Sequence, residues 1–97
     1  MSIRINEKLF DLQEVEEQKI DKDVILYCAS NKRIYSLNET ATVVWKEIYN
    51  SKERIITIDY IIGKIVEIYN NTDEEEVKQD IESVINEFIL GGLLNEK

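Results

Sequence analysis

Apolar positions change their period at Asn38. Before it, Arg33, Tyr35 and Leu37 alternate with Ile34 and Ser36, the period-two signature of a half-buried strand. Val24 to Ala29 is an apolar run of strand length. Ser30-Asn31-Lys32 supplies a hairpin connection, because Asn31 tolerates a left-handed backbone. The two strands are therefore expected to run antiparallel. Glu14 to Ile20 predicts a solvent-facing edge strand whose charges oppose unwanted pairing. Asp21-Lys22-Asp23 is the turn between them. Leu9, Phe10 and Leu12 are expected to anchor a turn onto the core, and residues 1–8 to be loosely ordered.

After Asn38 the period is helical. Asn38 is a suitable N-cap, and Glu39 suits the positive end of the helix dipole. Ala41, Val44, Trp45 and Ile48 form the apolar stripe of a first helix reaching Tyr49 or Asn50. A polar loop through Arg54 leads to an extended stub, Ile55–Ile56. Thr57 is placed to cap a second helix with Ile58, Ile61, Ile62, Ile65, Val66 and Tyr69 facing the core. Gly63 interrupts that helix at a cost of about 1 kcal/mol, which a close helix crossing would explain. Thr72 and Glu75 are spaced as a capping box for a third helix ending near Leu90. Its apolar set is Val77, Ile81, Val84, Ile85, Phe88 and Ile89. Gly91 and Gly92 stop it, and Leu93 and Leu94 fold back on the core.

Strands first and helices after predict an α+β fold: a small three-stranded antiparallel sheet followed by three helices, in a winged helix-turn-helix-like arrangement. At 97 residues the chain forms one domain, 1–97. The apolar fraction of 43% is that of a globular protein. No apolar run approaches the ~20 residues of a membrane span, and the start is not a secretory signal, which points to the cytoplasm.

Charge narrows the partners. Twelve basic against 20 acidic residues give a net charge of −8, which repels phosphate backbones and anionic membranes. Neither nucleic acid nor membrane is expected as a partner. Most of these charges are ordinary solvated surface. Asp73, Glu74, Glu75, Glu76, Asp80, Glu82 and Glu87 face a single Lys78 on the third helix, the reverse of what a DNA-reading helix requires.

Catalytic chemistry is scarce. There is no histidine, and Cys28 stands alone, so zinc sites and histidine-assisted nucleophiles are excluded as intramolecular features. A lone strand cysteine is most often a small buried hydrophobe. No glycine-rich phosphate loop is present. The expectation is a binding module that is not an enzyme and holds no cofactor or metal. An open sheet edge can bind an extended peptide through main-chain hydrogen bonds. The candidate edge is Lys32 to Leu37, with the third helix beside it.

Leu37-Asn38-Glu39-Thr40-Ala41, Trp45 and the terminal Gly91-Gly92-Leu93-Leu94 together resemble the PqqD-like family, also called RiPP recognition elements, over roughly Val24 to Leu94. The resemblance implies binding of the leader segment of a ribosomally made precursor peptide. The leader would add beside the third strand and pack on the third helix. It would then be presented to a modifying enzyme, such as a radical SAM protein or a lasso-peptide leader protease. Carried over by position, the peptide-binding residues are Lys32, Arg33, Ile34, Tyr35, Ser36 and Leu37 on the strand. On the helix they are Lys78, Ile81, Val84, Ile85 and Phe88. Leu37, Asn38, Thr40, Ala41 and Trp45 match the family motif, yet capping and helical spacing make them structural. Lys32 and Arg33 either attract acidic leader residues or simply blunt the edge. Tyr35 is either the floor of a leader pocket or part of the core. The alternative function is a transcription regulator or structural adaptor of winged-helix type.

Overall fold

The computed structural model describes residues 2–51, 55–70 and 73–97. Five strands come first: β1 (Ser2–Ile5), β2 (Lys8–Leu12), β3 (Glu16–Ile20), β4 (Asp23–Cys28) and β5 (Arg33–Leu37). Helix α1 (Glu39–Tyr49), strand β6 (Ile55–Ile56), helices α2 (Ile58–Tyr69) and α3 (Glu74–Leu90), and strand β7 (Leu94–Glu96) follow.

The expected antiparallel sheet of three strands is present, in the order β3-β4-β5. Its register pairs Leu26 with Tyr35 and Val24 with Leu37. Alternation then turns Val24, Leu26, Cys28 and Leu37 inward, where all are buried. Tyr27 and Ile34 sit opposite each other on the outer face and stay exposed. Every residue of β3 is exposed, as its charged sequence requires of an edge.

A second sheet, ordered β6-β1-β2-β7, was not expected. The start of the chain is not loose: β1 pairs antiparallel with β2, and Ile3 and Ile5 are 0% and 4% exposed. Two inward isoleucines are too short a pattern to show a strand. Its remaining partners arrive from far along the chain, as β6 beside β1 and β7 beside β2. Asn6, left-handed at φ 54°, turns the hairpin. Its N–H donates to Ile56 O at 2.8 Å, and its Oδ1 accepts from Ile58 N at 3.0 Å. This ties the N-terminal hairpin to the start of α2.

The helix caps follow from side chains at the boundaries. Asn38 Oδ1 accepts from Ala41 N at 2.8 Å, and Thr57 Oγ1 from Tyr60 N at 3.1 Å. For α3 the cap is Asp73, whose Oδ1 accepts from Glu76 N at 3.2 Å. The expected capping box rests on Thr72, which lies outside the described residues. Of the terminal glycines, only Gly92 is left-handed, at φ 86°, while Gly91 stays in the right-handed helical region. Leu93 and Leu94 are fully buried, as expected.

Two expectations for α2 fail. Tyr69 is 41% exposed and flanks the apolar stripe, whose buried members are Ile61, Ile62 and Ile65. Gly63 marks no helix crossing, since nothing lies within 4 Å of where its Cβ would stand. Helix α3 supplies the largest share of the helical core through Val77, Ile81, Val84, Ile85 and Phe88. Trp45 is buried and stacks on Tyr49 at 5.0 Å.

Two stability changes follow. Gly63→Ala should stabilise the protein by about 0.5–1 kcal/mol, through the lower entropic cost of ordering alanine in an open helical position. Ile3→Ala should destabilise it by about 2–4 kcal/mol in urea unfolding, the cost of a core cavity. A loss below about 0.5 kcal/mol for Ile3→Ala would restore the picture of a loose N-terminus.

Candidate peptide-binding edge and groove

Strand β5 has β4 on one side and, among the described residues, no strand on the other. In an antiparallel strand, every second residue aims its N–H and C=O away from the bonded neighbour. Those groups form the row that an added strand can use.

The inner face of β5 is fixed to the end of α3. The Gly91 carbonyl accepts from the Tyr35 hydroxyl at 2.7 Å and from the Arg33 guanidinium at 3.3 Å. The last carbonyls of a helix lack partners within it, and its C-terminus is the negative end of the dipole. A hydroxyl and a cation are therefore suited to that place. Asn31 completes the clamp: its Nδ2 donates to Tyr35 Oη at 3.0 Å, and its Oδ1 accepts from Arg33 N at 2.9 Å. Glycine at 91 leaves room for the Tyr35 ring. A Cβ there would stand 3.0 Å from the Tyr35 ring and 3.2 Å from Glu87 O.

Beyond this clamp, β5 and α3 part. A groove of about 320 Å³ opens along Ser36, Leu37, Asn38, Thr40 and Ala41 on one side and Asp80, Ser83, Val84, Glu87 and Phe88 on the other. The α3 positions follow the i, i+3, i+4, i+7, i+8 spacing of one helix face. Leu37, Ala41, Val84 and Phe88 are buried apolar residues and form the floor. Asp80 and Glu87 put carboxylates on the rim, and among the described residues no basic side chain lines the groove.

This geometry sorts the residues expected from sequence. Ser36, Leu37, Val84 and Phe88 line the groove. Arg33 and Tyr35 hold its closed end, so Tyr35 is half-buried packing with a bonded hydroxyl. Lys32 is exposed in the hairpin turn at φ 59°. Ile34 is 69% exposed on the outer face of the sheet. Ile81 is 0% exposed and lies wholly in the core, so it presents nothing to a ligand. Ile85 lines a different depression, with Phe10 and Ile58 beside the N-terminal hairpin. Lys78 is exposed but outside the groove.

Sequence reasoning missed Asn38, Thr40, Ala41, Asp80, Ser83 and Glu87 as groove residues. Apolar periodicity finds the stripe that the core consumes; the groove uses its polar flank. Asp80, Ser83 and Glu87 lie at i, i+3 and i+7, and that spacing was the available signal.

Among the described residues, no cluster of His, Cys, Asp or Glu is placed to hold a metal ion. Cys28 is fully buried. Burial pushes its thiol up, but hydrogen bonds from Ser30 and the backbone near Asn31 outweigh this and leave it below its ordinary value. Among the described residues, no helix is long and apolar enough to cross a membrane.

The family model described as coenzyme PQQ synthesis protein D (PqqD) matches residues 24–94. No curated protein matches the chain. A solved structure of TbiB1 in complex with the TbiA(beta) leader peptide superposes with a TM-score of 0.69 at 20% identity. The match covers 84% of this chain and 88% of that one.

The clamp is testable by stability. Gly91→Ala should cost about 1–3 kcal/mol, because the new methyl forces the Tyr35 ring or the Glu87 carbonyl aside. Tyr35→Phe should cost about 1 kcal/mol for the lost hydrogen bond. Equal stability of both variants and the native protein in urea titrations would show that β5 is not held at Gly91.

Proposed function

We propose that this chain, which belongs to the PqqD family of coenzyme PQQ synthesis proteins, binds the leader segment of a ribosomally synthesised precursor peptide and catalyses nothing itself. The observation that carries this reading is the unpaired edge of β5 beside the β5–α3 groove. An extended leader laid there gains main-chain hydrogen bonds from β5 and buries alternate side chains on Leu37, Ala41, Val84 and Phe88. The fold shared with TbiB1, a protein described in complex with a leader peptide, supports the reading.

Exposed apolar residues sit close to this path. Ile34 lies on the outer face of the edge strand. Leu90, 76% exposed, stands seven residues beyond Ser83 on the same helix face. Both are poorly placed for a solitary monomer and well placed to pack on an added strand. An affinity between roughly nanomolar and micromolar is expected. The bound leader would be presented to a modifying enzyme, of radical SAM or leader-protease type. The precursor and that enzyme are to be sought in the neighbouring reading frames.

A regulator that reads DNA is the competing function, and the charge of α3 opposes it. Glu74, Glu75, Glu76, Asp80, Glu82 and Glu87 accompany a single Lys78, whereas each phosphate contact needs a cation.

Ser83→Trp tests the placement. Ser83 is exposed, so the indole fills the groove without entering the core. Calorimetric titration with the leader should show at least about tenfold weaker binding, or 1.4 kcal/mol, at an unchanged melting temperature. Unaltered affinity would place the leader elsewhere. In a gel shift at low salt, duplex DNA should not bind; a retarded band would favour the regulator.

A further inference from the structure

The groove does not end with β5. Past Asn38 it meets a second depression of about 180 Å³, enclosed by the starts of α1 and α3 and the end of α2. Thr40 and Asp80 line both, so the two lie side by side. The floor of the second is apolar: Ile65 and Val77 are 4% and 2% exposed. Its rim carries the carboxylates of Glu39 and Asp80 and the phenol of Tyr69. Among the described residues no cation lines it and neither carboxylate has an ion-pair partner. The negative field is felt locally: partial burial, and then the charge of Glu39, push the Tyr69 phenol above its ordinary value.

An apolar floor with an anionic rim suits one kind of side chain. Lysine and arginine lay their methylene stems on apolar surface and keep the charged head at the edge. A guanidinium or ammonium over this floor would meet Glu39 and Asp80 as charge-assisted acceptors. Neutral polar or acidic side chains would lose one or the other contact. We infer that this depression is a specificity subsite for a lysine or arginine of the bound peptide, located where the peptide runs past the end of β5. The inference rests on the peptide-binding reading above and adds a sequence requirement to it.

A random-peptide display library selected on the folded protein tests it. Binders should carry Lys or Arg at one fixed offset from their apolar, strand-forming residues. Selection on the Glu39→Gln/Asp80→Asn double variant should keep the apolar residues and lose the basic one. For one selected peptide, the double variant should weaken the Lys form about tenfold while leaving its Lys→Met form nearly unchanged. Circular dichroism checks that the variant is folded, and Glu39→Gln and Asp80→Asn singly serve if it is not. Binders with no fixed basic position would overturn the subsite and leave the peptide-binding reading standing. So would equal weakening of the Lys and Met forms. A library that yields no binder would overturn both.

Discussion

The structure depends on how β5 is held. One edge of this strand is bonded to β4, its inner face is fixed to the Gly91 carbonyl by Tyr35 and Arg33, and among the described residues no strand pairs with its other edge. A bare edge strand invites aggregation, and proteins usually blunt or cover it. The partner edge, β3, shows the usual remedy: Glu16, Glu17 and Lys19 crowd it with charge. By contrast β5 carries Ile34, Tyr35, Ser36 and Leu37 beyond its single Arg33. The two edges of one small sheet thus differ: β3 is crowded with charge and β5 is not.

Holding β5 from the side is what leaves a groove. Tyr35 and Arg33 bring the strand against the last turn of α3 at one end only. At the other end the chain turns at Asn38 into α1, and the groove lies between Ser36, Leu37, Asn38, Thr40 and Ala41 and the α3 face of Asp80, Ser83, Val84, Glu87 and Phe88. Small side chains at the gap and bulky ones beneath it give a trough with a backbone wall. The same chain turn aims the trough at the carboxylates where α1, α2 and α3 meet. Affinity from the edge and selectivity from the trough would thus come from different parts of one surface.

Much of this was legible in the sequence. The change of period at Asn38 gave β5, the cap and α1, because strand alternation, an Asn cap and a helical stripe are all local signals. The three-stranded sheet followed from a charged edge stretch, an apolar run, one alternating stretch and the two turns between them. The four-stranded sheet did not, because β1 and β2 find their outer partners near residues 55 and 95, and β1 carries only two inward residues. Site residues were half legible. Ile81 and Ile85 enter by position from the family resemblance, and position alone cannot distinguish the core face of a helix from its binding face. Asp80, Ser83 and Glu87 were passed over because their flank looks like ordinary solvated surface until the placement of β5 is known.

The most direct test of this account is residue-resolved amide hydrogen exchange of the free and leader-bound protein. Alternate amides within Arg33–Leu37, those directed away from β4, should become strongly protected on binding, while β3 is unchanged. Saturating leader with no gain of protection along β5 would contradict it.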